Sequence, residues 1–437
     1  MEKFDLTPKM LMYLDRQLGY PLLEFMTNRG IYNDHDLEQA KFELLSNTNM
    51  VDFVGDLYSK AHDGQEPPAE FSEKREKVMK QLEEFELKTE KIRSVIEMPE
   101  VASSLRQDRV QNMQFLTENY QCKPEMVKDL YDFGQFHYSC GNYGGSADLL
   151  FHFSVLSTDT NLILKAMWGK LASEMLIGNW ETAYEDVIKL REAIEKSSFA
   201  EHAQQLQNRV WLLHWSLFVF FNHPNGRDGI LEMMLMPQYS NTIQNACPWL
   251  VRYLVAASVV NRRRRNNIKE VVKIVNNLGY LYSDPLTEFI SALYINFDFD
   301  LACIKLKECE LVLENDFFLT GASDDFVDCA RLYFAEVYCK IYSRIDLSKL
   351  TAKLNMEQED GEKWIVKLIR ETRLDAKVNL KDNYVVINPQ VNHIPQQVIE
   401  KTKFLSFRSQ VLNGAIDKRQ AYLAKQSAQA EAALVEQ

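Results

Sequence analysis

A short pattern occurs twice in this chain about 37 residues apart, and this periodicity constrains the fold more than any other feature. The first copy, C-G-N-Y-G-G-S-A, begins at Cys140, and the second, I-G-N-W-E-T-A, begins at Ile177. Such periods are typical of helix–turn–helix repeats, in which Gly141 and Gly178 would each end a helix in the left-handed conformation. A looser third copy, Y-I-N-F-D-F-D-L-A, begins at Tyr294. We therefore predict a mainly α fold, a right-handed helical-repeat (TPR-like) solenoid.

The composition agrees with long helices and few turns. Only 16 glycines and 12 prolines occur in 437 residues, and 46% of the chain is hydrophobic, which excludes a disordered or fibrous protein. The net charge of −12 argues against non-specific coating of nucleic acid. The seven cysteines form no C-x-x-C motif, so we expect reduced, mostly buried thiols. The longest apolar run, Trp211–Phe221, is about half of a membrane span, so no membrane partner is expected.

A seven-residue repeat of apolar residues marks one long helix near the amino terminus. Val78, Leu82, Phe85, Ile92 and Ile96 follow this spacing, with Thr89 in the vacant position. The pattern allows two interpretations, a helix of an internal hairpin or a docking helix for another protein. The internal hairpin is the commoner use of so short a stripe.

The pattern changes after Ser343. A stripe of leucines and one isoleucine predicts a short helix, and a second helix follows around Trp364. The residues of the first helix are Ile345, Leu347, Leu350 and Leu354. Two extended runs that include Val378 and Tyr384 flank a K-D-N turn. Helix, turn, helix and β-hairpin is the order of a winged helix. Because acidic residues begin its second helix, we expect the wing to bind protein and not DNA.

No catalytic motif is found, so we expect no enzyme, cofactor or metal site. The chain has no phosphate-binding loop, no G-x-S-x-G and no H-E-x-x-H. The strongest local charge signal is a run of four arginines with a lysine nearby, namely Arg262, Arg263, Arg264, Arg265 and Lys269. It fits RNA phosphates, an acidic partner helix or a solvated loop, and the sequence leaves these alternatives open.

Several long runs resemble the PCI-domain family, and within it the subunits of eukaryotic translation initiation factor 3. These runs include Leu14–Phe25 and Gln396–Gln410, and the most specific ones are Trp211–Asp228 and Trp364–Lys377. The resemblance is collinear from Asp5 to about Leu412. It implies helical repeats that lead into a winged helix, in agreement with the periodicity.

The resemblance also implies a function and partners. It implies a non-catalytic, cytoplasmic scaffold with a possible nuclear pool, which promotes assembly of the preinitiation complex on the small ribosomal subunit and recruits mRNA. The implied partners are other PCI and MPN subunits, the d subunit and the scaffold of the cap-binding complex. The alternatives are a scaffold of the proteasome lid or signalosome, which share the architecture, and direct RNA binding by the basic run.

Two sets of residues are predicted to bind neighbouring subunits. In the wing they are Val378, Tyr384 and Val386, because an exposed strand edge is a template for pairing. In the last helix they are Val398, Leu405, Leu412 and Ile416, an apolar stripe that would join a helical bundle.

The predicted organisation has six segments. They are an N-terminal helical region (1–100), helical repeats (101–220), the helical part of the PCI domain (221–342), the winged helix (343–390), the C-terminal bundle helix (391–425) and a tail (426–437).

Overall fold

The computed structural model of the chain consists of two compact units, Met1–Val337 and Tyr338–Gln437, which we describe separately. The residues it describes are 4–62, 65, 67–96, 98, 101, 109–121, 123–197, 199, 201–261, 267–346, 369–370, 376–379, 384–387 and 394–435. Helices dominate these residues, so the predicted mainly α fold is confirmed.

The helices up to the middle of the first unit follow one another closely. They are α1 (Thr7–Leu11), α2 (Arg16–Arg29), α3 (Asp34–Leu45), α4 (Val51–Ala61), α5 (Ala69–Ile96), α6 (Arg109–Tyr120), α7 (Pro124–Ser139), α8 (Tyr143–Leu156), α9 (Thr160–Ile177), α10 (Trp180–Lys196) and α11 (His202–Asn222). From α7 to α11 each helix packs against the next along the chain, as a stack of helix hairpins requires.

Seven further α-helices follow along the described part of the chain before the first strand. They are α12 (Gly226–Met234), α13 (Pro237–Ala246), α14 (Val251–Val260), α15 (Asn267–Leu278), α16 (Pro285–Ser291), α17 (Phe299–Glu314) and α18 (Ser323–Ile341). A π-helical turn, Ala292–Asn296, separates α16 from α17.

The predicted glycine caps are present at both repeats. Gly141 has φ +86° and Gly178 has φ +88°, so both adopt the left-handed conformation that glycine accepts without a Cβ clash. Asn142 begins α8, and its side-chain oxygen accepts a hydrogen bond from the Gly145 amide. At the third copy Phe297 takes the left-handed position with φ +54°. Each copy therefore places a left-handed residue directly before the cap of the following helix.

Close approach between helices α7, α8 and α9 depends on two further glycines. A Cβ atom on Gly134 would lie 3.0 Å from the Leu150 side chain, and one on Gly169 would lie 2.9 Å from it. The Ser146 hydroxyl donates to the Gly134 carbonyl at 2.9 Å. A larger residue at Gly134 or Gly169 would therefore press on Leu150 and force it to move.

The heptad stripe of α5 is used inside the chain. Ile92 and Ile96 are buried in the repeat core, and Val78, Leu82 and Phe85 pack at its margin. Thr89 is fully buried, and its hydroxyl donates to the Phe85 carbonyl at 2.7 Å, which explains why a polar residue is accepted within the stripe. This packing favours the internal interpretation of the stripe.

The N-terminal helices are anchored to the repeats by buried polar contacts. The Trp215 indole donates to the Tyr13 carbonyl at 3.0 Å, and the Tyr13 ring stacks on His214 with centroids 4.6 Å apart. His214 lies between the Val210 carbonyl and the Trp249 indole, which donates to Nε2 at 3.1 Å. Burial lowers the pKa of His214 to about 4, so the ring is neutral at physiological pH. Neutral histidine suits this apolar position.

A buried ionic cluster centred on Arg252 joins helix α14 to three other segments. The guanidinium donates to Asp284 at 2.5 Å, to Asp316 at 3.0 Å and to the Phe4 carbonyl at 2.7 Å. The Tyr253 hydroxyl donates to Asp316 at 3.0 Å. Burial raises the pKa of Asp316, and Arg252 and Tyr253 oppose that rise. Removal of Arg252 would leave two carboxylates buried without a cation.

The second unit contains a three-stranded antiparallel sheet and one long helix. The strands are β1 (Arg344–Asp346), β2 (Ala376–Asn379) and β3 (Tyr384–Ile387), in the order β1-β3-β2. The predicted hairpin is confirmed, since β2 and β3 pair with Asn379 opposite Tyr384. This sheet fits the winged-helix prediction, whose helix residues Leu347, Leu350, Leu354 and Trp364 lie outside the described residues.

One expectation for this region was wrong. Ile345 lies in β1 opposite Val385 and not in a helix. Its side chain is 2% exposed, while Arg344 and Asp346 on either side point outward. Polar and apolar residues alternate along β1, as expected of a strand that has one buried face in a sheet.

The last element is α19 (Ile394–Val435), a helix of 42 residues. It continues beyond Leu423 through most of the segment expected to be a separate tail. Across the described residues, no helix combines the length and the apolar character that crossing a membrane would require.

Candidate functional site

The four predicted bundle residues all project from α19 into solvent. Val398, Leu405, Leu412 and Ile416 are 56%, 61%, 63% and 53% exposed. At 100° per residue they lie within about 40° of one another around the helix axis. Such a continuous exposed apolar stripe is unusual on a monomer and is typical of surfaces that bind another chain.

A second apolar stripe lies on the same helix. Its residues are Phe404, Phe407, Val411 and Tyr422, each more than half exposed. They lie within about 60° of one another and about 120° around the helix from the first stripe. The sequence analysis missed this set, although the spacing of 3 and 4 between its first three members is the signal that reveals it.

A line of basic side chains separates the two stripes. Lys401, Arg408 and Arg419 lie between them around the helix, and all three are exposed. The Arg408 guanidinium lies over the Phe404 ring, 5.4 Å from its centroid. Helix α19 can therefore contact two apolar helices at once, with acidic residues favoured where those helices meet the basic line.

The sheet changes the interpretation of the wing residues. Strand β3 is central, so the backbones of Tyr384 and Val386 are already paired with β2 or β1. The strand-edge argument was therefore wrong for these two residues. Within the described residues, β2 pairs with β3 alone, so Val378 lies on an edge strand.

Tyr384 and Val386 can contact a partner only through their side chains, which are half-buried. The Arg344 guanidinium covers the Tyr384 ring at 4.2 Å from its centroid. A partner that binds this face would meet a charged group stacked on an aromatic ring.

The structure describes only Lys269 among the residues of the predicted basic patch. Arg262, Arg263, Arg264 and Arg265 lie outside the described residues, and Lys269 is exposed in the first turn of α15. The RNA-binding interpretation of this run stays a prediction. Among the described residues, no group of histidine, cysteine and carboxylate side chains is arranged to hold a metal ion.

Comparison with known proteins defines the class of protein first. A model of the PCI domain matches residues 306–389, which include α18 and all three strands. A model of the eIF3 subunit 6 N terminal domain matches residues 5–137. A model of the C-terminal region of the E subunit of eukaryotic translation initiation factor 3 matches residues 396–412, which carry most of the first α19 stripe. The chain is thus a PCI-domain protein.

Curated relatives narrow this class to one component of the factor. The chain is 48% identical to the E subunit of eukaryotic translation initiation factor 3 from Sclerotinia sclerotiorum over 95% of its length and 93% of the relative's. It is 48% identical to that of Pyricularia oryzae, over 95% and 97%, and 46% identical to that of Aspergillus oryzae, over 95% and 94%. The chain belongs to the family of the E subunit of eukaryotic translation initiation factor 3. This family is favoured over the proteasome-lid and signalosome alternatives.

Proposed function

We propose that the chain is a non-catalytic scaffold subunit of translation initiation factor 3, acting in the cytoplasm. In this role its PCI domain and α19 bind neighbouring subunits. The assembled factor then promotes formation of the preinitiation complex on the small ribosomal subunit and recruitment of mRNA. The observation that carries the proposal is the pair of apolar stripes on α19.

The two stripes favour a bundle over a simple pair of helices. A single stripe can be covered by one neighbour, whereas stripes about 120° apart need two. Burial of a leucine-sized side chain stabilises by roughly 1.5–3 kcal/mol. The exposed residues of both stripes together could therefore hold the helix firmly among other subunits, even after the entropy lost on association is subtracted.

The sheet and the N-terminal helices supply two further proposed contacts. Strand β2, which contains Val378, offers an edge to which a strand of a neighbouring PCI subunit can pair. Helices α1–α4 are available to the d subunit or to the scaffold of the cap-binding complex. The resemblance to other family members is the support for this last assignment.

The test disrupts one α19 stripe in the full-length chain. We expect the double variant Leu405→Asp, Leu412→Asp to be lost from the initiation-factor fractions of a density gradient, because carboxylates buried in an apolar interface cost several kcal/mol. The chain should keep its helical circular dichroism spectrum, since both side chains are exposed.

The matched control places the same changes on the opposite face of the helix. Lys403→Asp, Gln410→Asp also introduces two aspartates seven residues apart, and this variant should remain in the complex. Phe404→Asp, Val411→Asp tests the second stripe in the same way. Retention of the Leu405→Asp, Leu412→Asp variant in the complex would contradict the proposal. If only this variant is lost and the second-stripe variant is retained, α19 packs against one neighbouring helix and not two.

A further inference from the structure

A third exposed apolar stripe begins within the third repeat copy and continues along α17. It consists of Leu301, Ile304, Glu308 and Leu311 on the helix, together with Phe297 two residues before the helix begins, and we call this set the α17 stripe. The four members on the helix are spaced by 3, 4 and 3 residues, the spacing of a surface that packs along one partner helix. Its four apolar members are 52%, 37%, 56% and 50% exposed.

The backbone at Phe297 points to a use for its side chain. The two other repeat copies place Gly141 and Gly178 at this position, where φ is positive. Phe297 adopts the same conformation at φ +54°, although a Cβ atom disfavours it. The aromatic ring does not compensate by burial, since half of it remains exposed. The backbone strain at Phe297 is explained if another molecule buries the ring and so offsets it.

The charges around the stripe select the partner. Lys305 donates to Glu308 at 2.7 Å and forms an ion pair with Glu288 at 2.9 Å, so the centre of the stripe has a net negative charge. Beside the stripe, the exposed acidic residues Asp300 and Glu314 outnumber the exposed Lys307. A second copy of this stripe would meet like charges and be repelled.

We propose that the α17 stripe binds an amphipathic helix of a partner protein whose flanks carry lysine or arginine. About three helical turns of the partner, roughly 15 Å, would match the length from Leu301 to Leu311. A basic side chain opposite Glu308 would fix the register, as polar positions do in helix pairs. The stripe belongs to a different helix from the two α19 stripes, so the inference goes beyond the proposed function.

The test measures binding of two designed peptides to the full-length chain by fluorescence anisotropy. Both peptides have four heptads with the same leucine and isoleucine positions, and they carry either lysine or glutamate along their flanks. We expect the lysine peptide to bind at least about tenfold more tightly at low salt, and the difference to shrink as salt screens the charges. Equal binding of both peptides would overturn the proposal.

Variants locate the binding to the stripe. Ile304→Asp should weaken binding of the lysine peptide about tenfold or more, and Glu308→Lys should reverse the preference between the peptides. Leu206→Asp is the control, because Leu206 is a similarly exposed apolar residue elsewhere, on α11, at 38%. Phe297→Gly should weaken binding while the melting temperature stays equal or rises, an effect that damage to the fold would not produce.

Two further results keep the proposal separate from its alternatives. The peptide measurements should be the same in the Leu405→Asp, Leu412→Asp background, where α19 is impaired, so failure of the α19 proposal leaves this one intact. If the chain forms a dimer in sedimentation and Ile304→Asp abolishes it, the stripe binds a second copy and the proposal is wrong.

Discussion

The helical repeats and α19 contain the same kinds of apolar residue in helices, but the two regions expose them very differently. Leu171 in α9 and Leu212 in α11 are fully buried, whereas Leu405 and Leu412 in α19 are 61% and 63% exposed. Each repeat helix is covered by the next helix along the chain. An apolar stripe therefore shows only that a helix needs a partner. Whether that partner belongs to the same chain depends on the elements that follow or precede the helix.

Length explains why the described residues leave the α19 stripes exposed. Its 42 residues extend about 63 Å, far beyond the short three-stranded sheet that shares its unit. Elements of comparable total length would be needed to cover its stripes from end to end. The repeats, by contrast, use helices of up to 21 residues that match one another in length.

The largest expected effect on stability comes from the ionic cluster in the first unit. We expect Arg252→Met to reduce the free energy of unfolding by about 3–5 kcal/mol, because Asp284 and Asp316 would remain buried without a cation. Urea unfolding followed by circular dichroism measures this loss.

The control for this prediction is a surface ion pair of the same unit. Arg227→Met removes a contact to Asp325 in which both side chains are substantially exposed, and it should cost less than about 1 kcal/mol. The variant Arg252→Met, Asp316→Asn should recover part of the loss. Equal effects of the two arginine variants would mean that the cluster is not closed to solvent.

A pair of leucine substitutions tests the comparison directly. Leu171→Ala should destabilise the chain by about 2–5 kcal/mol, since it leaves a cavity in the repeat core. Leu405→Ala should change stability by no more than about 0.5 kcal/mol, because the side chain is already in water. Both are measured by urea unfolding of the isolated chain. A large loss with Leu405→Ala would show that α19 is covered within its own chain.

Local sequence rules predicted some elements well. A positive φ at Gly141 and Gly178 follows from the chemistry of glycine alone. Aspartate is a preferred residue at helix N-termini, and the Asp298 side chain accepts from the Asp300 and Leu301 amides at the start of α17. These features depend on residues within a few positions of one another, so a single sequence contains the information.

Features that depend on distant residues could not be predicted in the same way. The central position of β3 requires β1, which lies about forty residues earlier, and the pairing places Ile345 in a strand. The partners of Arg252 come from positions 4, 284 and 316. The only local signal of that cluster is a single arginine within an otherwise apolar segment.

The candidate site also contains residues that the sequence predicted and residues that it did not. The first α19 stripe follows from heptad spacing, and the sequence predicted it. The second stripe was missed because Phe404, Phe407 and Val411 fit a different phase of the same helix. The exposure of the α19 stripes could not be predicted from the sequence, since α5 has a similar stripe that the repeat core covers.

The smallest expected effect, a glycine-to-alanine change, should differ in sign between the two regions. Gly178→Ala places a Cβ at φ +88°, so it should destabilise the first unit by about 1 kcal/mol although no atom lies within 4 Å of the new methyl group. Gly414 lies inside α19, also with open space around it, and alanine there should stabilise the helix by about 0.5–1 kcal/mol. Urea unfolding measures the first change, and amide hydrogen exchange across residues 394–435 measures the second. A gain in both variants would mean that the cap after α9 is not held in the left-handed conformation, and a loss in both would mean that α19 is not a continuous helix at Gly414.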